Sequence, residues 1–131
     1  MKIYRWMKRG SDGRPLAGTR FGLLGVRPKG GPGRSDVDAQ ASDEIVSASV
    51  AKGLSASTDP TMPQSPGDEF LLWEIDSDSL GPALTAEPSP TTNNPGHYLV
   101  KPANDMTLAE YQKALASTSA NWQQVESGEN P

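Results

Sequence analysis

Few residues in this chain are of a type that does chemistry, and they lie far apart. The single histidine, His97, opens the run His97-Tyr98-Leu99-Val100, closed by Lys101-Pro102, and there is no cysteine. Without thiols there is no disulfide, thiolate metal site or cysteine nucleophile, and one imidazole is too little for a zinc site. No metal is expected. HExxH, GxSxG, GxGxxG and the P-loop pattern are all absent. Serines are plentiful enough for a Ser-His-Asp triad, but nothing marks a nucleophile elbow. What remains is Arg5, between Tyr4 and Trp6, then Ser55 and Ser57 in Gly53-Leu54-Ser55-Ala56-Ser57, and the pair His97-Tyr98. Either His97 is a reactive ring at the mouth of a strand, or it is an ordinary hydrogen bonder beside a turn.

These groups need elements to carry them. Residues 2–7 (KIYRWM) read as a strand with Ile3, Arg5 and Met7 on one face and Tyr4 and Trp6 on the other. Residues 69–75 (EFLLWEI) are the strongest strand by composition, and 83–87 and 97–101 read as two more. Residues 20–26 (RFGLLGV) are a further candidate, weakened by two glycines. Residues 36–53 fit a short helix or a strand about equally, and 53–58 form a small-residue segment. Proline and glycine make loops of 9–18, 27–36, 60–69 and 88–96. Near the C-terminus, Thr107-Leu108-Ala109-Glu110 fits a capping box. Leu108, Tyr111, Leu115, Thr118 and Trp122 then recur at helical spacing, which predicts a helix over 107–122. Short strands with one C-terminal helix imply an α+β domain with a mainly antiparallel sheet. The domain is expected over 1–123, with 124–131 a flexible tail.

The bulk numbers bound the rest. With 131 residues, 34% hydrophobic, and 13 Gly plus 12 Pro, the chain has room for one domain with a small, aromatic-rich core and many loops. The net charge of −4 argues against general nucleic-acid binding. That charge is uneven, because the segment from Lys2 to Arg34 carries nine Lys and Arg against Asp12 as its acid. Its glycine-rich part, 27–36, is either a phosphate cradle or a flexible surface loop. No apolar run is long enough to span a membrane, and the first residues lack the apolar core of a signal peptide.

Four stretches together, YRWM, GLSASTDP, WEIDSDSLGP and GHYLVKPANDMTLAEYQKAL, resemble the small type VI secretion effector toxins with an ADP-ribosyltransferase-like fold. The resemblance touches residues 2 to about 122, loosely over 8–52. It implies two packed, mainly antiparallel sheets, a C-terminal helix and a cleft for NAD between them. Arg5, Ser55 and His97 then match catalytic positions, and Tyr4, Trp6, Ser57 and Tyr98 match dinucleotide-binding ones. An arginine fork suits phosphate or ribose oxygens, hydroxyls fix ribose, and aromatic faces clamp nicotinamide. Such enzymes carry a glutamate at the His97 strand, which is missing here; the nearest acids are Glu87 and Asp105. The resemblance implies a toxin acting in the cytoplasm, delivered by a secretion system and blocked by a cognate immunity or antitoxin protein. It would modify a target or deplete NAD. It also predicts that Arg5→Ala and His97→Ala abolish growth inhibition with thermal unfolding nearly unchanged. The rival readings are an inactive binding module on the same fold, and a nucleotide or nucleic-acid hydrolase using Arg27, Lys29 and Arg34.

Overall fold

Alternation in the first residues builds the central strand. In a computed structural model that describes residues 1–62 and 64–125, Ile3 and Met7 are fully buried on one face of β1 (Lys2–Lys8). Chain order continues with β2 (Ile45–Val46), β3 (Leu54–Ser57), β4 (Phe70–Asp76), β5 (Leu84–Pro88), β6 (His97–Pro102) and β7 (Met106–Thr107). The α-helix α1 (Leu108–Ala116) and the short β8 (Gln123–Gln124) complete it. The strands predicted at 2–7, 69–75, 83–87 and 97–101 all form, within a residue of their expected ends.

Among the described residues the strands make two antiparallel sheets. One has the order β5-β6-β3-β1-β4-β8, and the other pairs β2 with β7. With one α-helix near the C-terminus, the architecture is α+β. The core lies on the sheet face bearing Ile3, Met7, Leu54, Ala56, Trp73, Ile75 and Val100. Two things cover that face. One is the helix, through Leu108, Tyr111 and Leu115; the other is the loop-rich segment after β1, through Leu24, Val26, Val37 and Ala39. Gln112 ties these covers together, since its amide accepts from Val26 N at 3.0 Å and donates to Val26 O at 2.7 Å.

Two expectations change. Residues 20–26 are not a strand but a turn-rich passage with a single bridge, Ala17 to Leu24. Gly22 has φ +76, and a Cβ there would lie 2.1 Å from the Phe70 ring, so this backbone suits glycine alone. At Gly25 a Cβ would lie 2.0 Å from Gly18 O, a close approach of two chain segments. The predicted helix over 107–122 stops at Ala116. Ser117 Oγ donates to Lys113 O, Thr118 Oγ1 donates to Leu115 O, and a 3-10 turn at Ser119–Asn121 follows. Trp122 still reaches the core, with Nε1 donating to Thr118 Oγ1 at 2.9 Å. In the expected tail, Gln124 pairs with Trp73 and Val125 N donates to Leu72 O, while 126–131 lie outside the described residues. No helix among the described residues is long and apolar enough to cross a membrane.

Candidate functional site

The sheet is not closed evenly. On one side β1 pairs with β4 in register from Lys2↔Asp76 to Lys8↔Phe70. On the other side β1 meets β3 at a single pair, Tyr4↔Ser57. Beyond that pair the strands part, and the backbone of Ser55 is met by a side chain instead. Arg5 Nη1 donates to Ser55 O at 2.9 Å, and Nη2 donates to Leu23 O at 3.0 Å. One guanidinium thus holds β3 and the loop after β1 at a fixed separation. Burial pushes Arg5 down to about 10, which leaves it charged at neutral pH. Its Nε is buried without a hydrogen-bond partner among the described residues.

A cleft of about 410 Å3 occupies this gap. Tyr4, Arg5, Trp6, Ser55 and His97 all line it. Register explains the gathering. Residues opposite one another across a sheet share a face, and alternate residues along a strand do too. The pairs Tyr4↔Ser57 and Ser57↔His97 therefore set Tyr4, Trp6, Ser55, Ser57 and His97 on one face. Arg5 belongs to the other face, with Ile3 and Met7, and reaches the cleft because the strands separate beside it.

Two of the expected contacts lie elsewhere. Ser57 is fully buried and does not line the cleft; its hydroxyl donates to Asn94 Oδ1 at 3.2 Å and accepts from Asp59 N at 3.1 Å. It acts on the site by fixing Asn94, which does line it. Tyr98 pairs with Ala56 on the opposite face from His97 and is not among the lining residues. His97 is half-buried, with Nδ1 at 2.8 Å from Ser89 O. A carbonyl only accepts, so Nδ1 carries the proton and Nε2 is the basic nitrogen of the neutral ring.

The cleft also holds residues that sequence reasoning missed. Asp36 is the one carboxylate among its described lining residues. It accepts from Arg27 Nε at 3.1 Å, from Arg27 Nη2 at 3.0 Å and from Arg27 N at 2.7 Å. The hydrogen bond to Asp36 holds the Arg27 guanidinium above its ordinary pKa. Nothing in the sequence marks Asp36 except that it is the first acid after the basic segment. Phe21 is 56% exposed at the cleft wall, edge-on to Phe70 with ring centroids 5.6 Å apart. Arg34 and Gln64 add polar groups at the rim. Glu87, one of the acids weighed from the sequence, instead bonds the buried Lys101 at 3.1 Å, and Asp105 accepts from Ala48 N. Among the described residues no three His, Asp or Glu side chains come together as a metal site.

The arrangement offers hydroxyl and imidazole groups for a sugar, aromatic faces for a ring, cations for phosphate and one fixed carboxylate. Comparison of the chain with protein-family models, curated proteins and solved structures finds no match.

Proposed function

We propose that the cleft binds NAD and breaks its ribose–nicotinamide bond, on an ADP-ribosyltransferase-like fold, and that the protein acts as a toxin inside a target cell's cytoplasm. Nicotinamide leaves with the bonding pair, while water, or a nucleophile of a target, bonds to the ribose carbon and gives up its proton. The observation that carries this reading is the parting of β1 from β3, with Arg5, Ser55 and His97 gathered at one opening. A volume of about 410 Å3 is in the range of small-molecule sites. Cleavage of that bond builds positive charge on the ribose, and Asp36 supplies a carboxylate for it. In this reading Asp36 stands in for the glutamate that the resemblance lacks. Ser55 and His97 Nε2 suit the ribose hydroxyls, and Tyr4 and Trp6 suit the nicotinamide ring. Two donors of Arg5 are committed to carbonyls, so Arg34 is the more open cation for the pyrophosphate, and Arg5 chiefly shapes the cleft. A producing cell would need a cognate immunity protein to block this opening.

Calorimetry with NAD, paired with chromatographic detection of nicotinamide, tests the reading. The wild-type chain is expected to bind NAD and release nicotinamide. Asp36→Asn is expected to bind NAD within a few fold and to lose release by roughly a hundredfold or more, the scale of a lost electrostatic partner in a transition state. Absence of any heat at millimolar NAD would falsify the proposal. A second reading, an inactive binding module, is favoured by one observation: Asp36 is already neutralised by Arg27. It predicts NAD binding with no nicotinamide released.

A further inference from the structure

A second cavity, of about 850 Å3, adjoins the cleft and shares Phe21 and Arg27 with it. Residues 19–21, 27–33 and 40 line it. Its charged residues are Arg20, Arg27 and Lys29, with no carboxylate among its described lining. Arg27 is bonded to Asp36, whereas Arg20 and Lys29 make no ion pair among the described residues. The nearby Asp38 is bonded to Lys52 Nζ at 2.9 Å. The loop is pinned at its base, where Asp36 N donates to Arg27 O and Lys29 N donates to Ala39 O, each at 2.9 Å. Cations are thus displayed on an anchored loop. Beside them stands Phe21, exposed, braced by Phe70, with the Arg27 guanidinium 5.5 Å from its ring centroid.

We infer that this flank binds single-stranded nucleic acid, with a base against Phe21 and phosphates at Arg20 and Lys29. Unpaired cations next to an exposed aromatic ring are what a single strand requires, since it offers both charge and an open base face. A duplex hides its base faces, and an acidic peptide lacks the flat ring. The net charge of −4 belongs to the whole chain, while the charged side chains that line this cavity are all cations. The inference goes beyond the NAD reading and does not depend on it, because Arg20 and Lys29 line only the second cavity.

The test is fluorescence anisotropy with a labelled oligothymidylate of about 12 nucleotides, titrated across about 50 to 200 mM salt. Binding is expected, weakening as salt rises. The double variant Arg20→Gln/Lys29→Gln is expected to lower the log–log salt slope by about 1.4, at about 0.7 per phosphate contact. Phe21→Ala is expected to weaken binding roughly tenfold at unchanged slope. Failure of the folded wild type to bind, an unchanged slope in the double variant, or stronger binding of duplex or of a polyglutamate peptide overturns the inference. Calorimetry with NAD on the wild type, beside its oligonucleotide titration, separates the two proposals, and the double variant is expected to keep whatever NAD binding the wild type shows. Oligonucleotide binding without NAD binding upholds this site and removes the NAD reading alone; the converse removes this site alone.

Discussion

Arg5 does its work through main-chain carbonyls. Its two terminal nitrogens satisfy Ser55 O and Leu23 O, groups that would otherwise face a gap in the sheet. Truncation to alanine leaves the part-buried Leu23 O without its donor and the exposed Ser55 O to water, and hydrogen bonds to a charged donor contribute about 1.5–3 kcal/mol each. Relief from holding a buried charge offsets part of that. Arg5→Ala is therefore expected to lose about 2 kcal/mol of stability in a urea melt. His97→Ala removes one bond to Ser89 O and is expected to lose about 1 kcal/mol or less. This amends the expectation that both variants unfold like the wild type, because the arginine bridges two segments and the histidine joins one strand to its own loop. Equal melts would show that the Arg5 bridge adds nothing. A loss of function in Arg5→Ala has to be read against its stability, whereas in His97→Ala it reports on the cleft.

At the scale of elements, the helix entry is set by local chemistry. Thr107 Oγ1 accepts from Glu110 N at 3.1 Å, and Glu110 accepts from Thr107 N at 2.9 Å, the reciprocal box that the four-residue pattern implied. Thr107→Ala is expected to cost about 1 kcal/mol. The bonds from Thr107 also hold the Glu110 carboxyl below its ordinary pKa. A carboxyl depressed by folding adds stability above its unfolded pKa, and that stability is lost as pH falls through the folded value. Glu110→Gln keeps the geometry without the titration. Its melting-temperature deficit relative to wild type is expected to shrink as pH drops from about 6 to about 3. A constant deficit over that window would mean the carboxylate charge is not coupled to folding. The helix then reaches into the sheet through Tyr111, whose hydroxyl donates to Val100 O and accepts from Leu54 N. It bridges β3 and β6 where the strands bearing Ser55 and His97 run side by side, so the helix stiffens one wall of the cleft.

For the whole molecule, the cleft is a seam between two bodies of sheet, β5-β6-β3 and β1-β4-β8, joined through a single β1–β3 pair. A ligand lodged in that seam is expected to stabilise the entire fold, since it binds only when both bodies are in place. At a hundredfold excess over its dissociation constant the gain is about 2.7 kcal/mol. A thermal melt with NAD reads it, and under the proposed function Asp36→Asn retains the shift. No shift at saturating NAD would count against NAD binding in the seam. Much of this architecture was legible beforehand. The strand at residues 2–7, the apolar run before Asp76, the His97 strand and the capping box all rest on near-neighbour patterns, which short-range sterics and hydrogen bonding decide. Glycine at 22 and 25 tells why the 20–26 strand failed, but that reason exists only once Phe70 and Gly18 are in contact with it. Likewise the sequence by itself determined that Arg5 and His97 lie on strands, whereas Ser55 stood only in a small-residue segment until β3 was seen. Only the tertiary structure decided that β1 and β3 part after one pair, that Asp36 comes to the opening on the arm of Arg27, and that Ser57 and Tyr98 are turned from it. Those outcomes depend on strand order and register, which are set by contacts between residues tens of positions apart and leave no mark on local spacing.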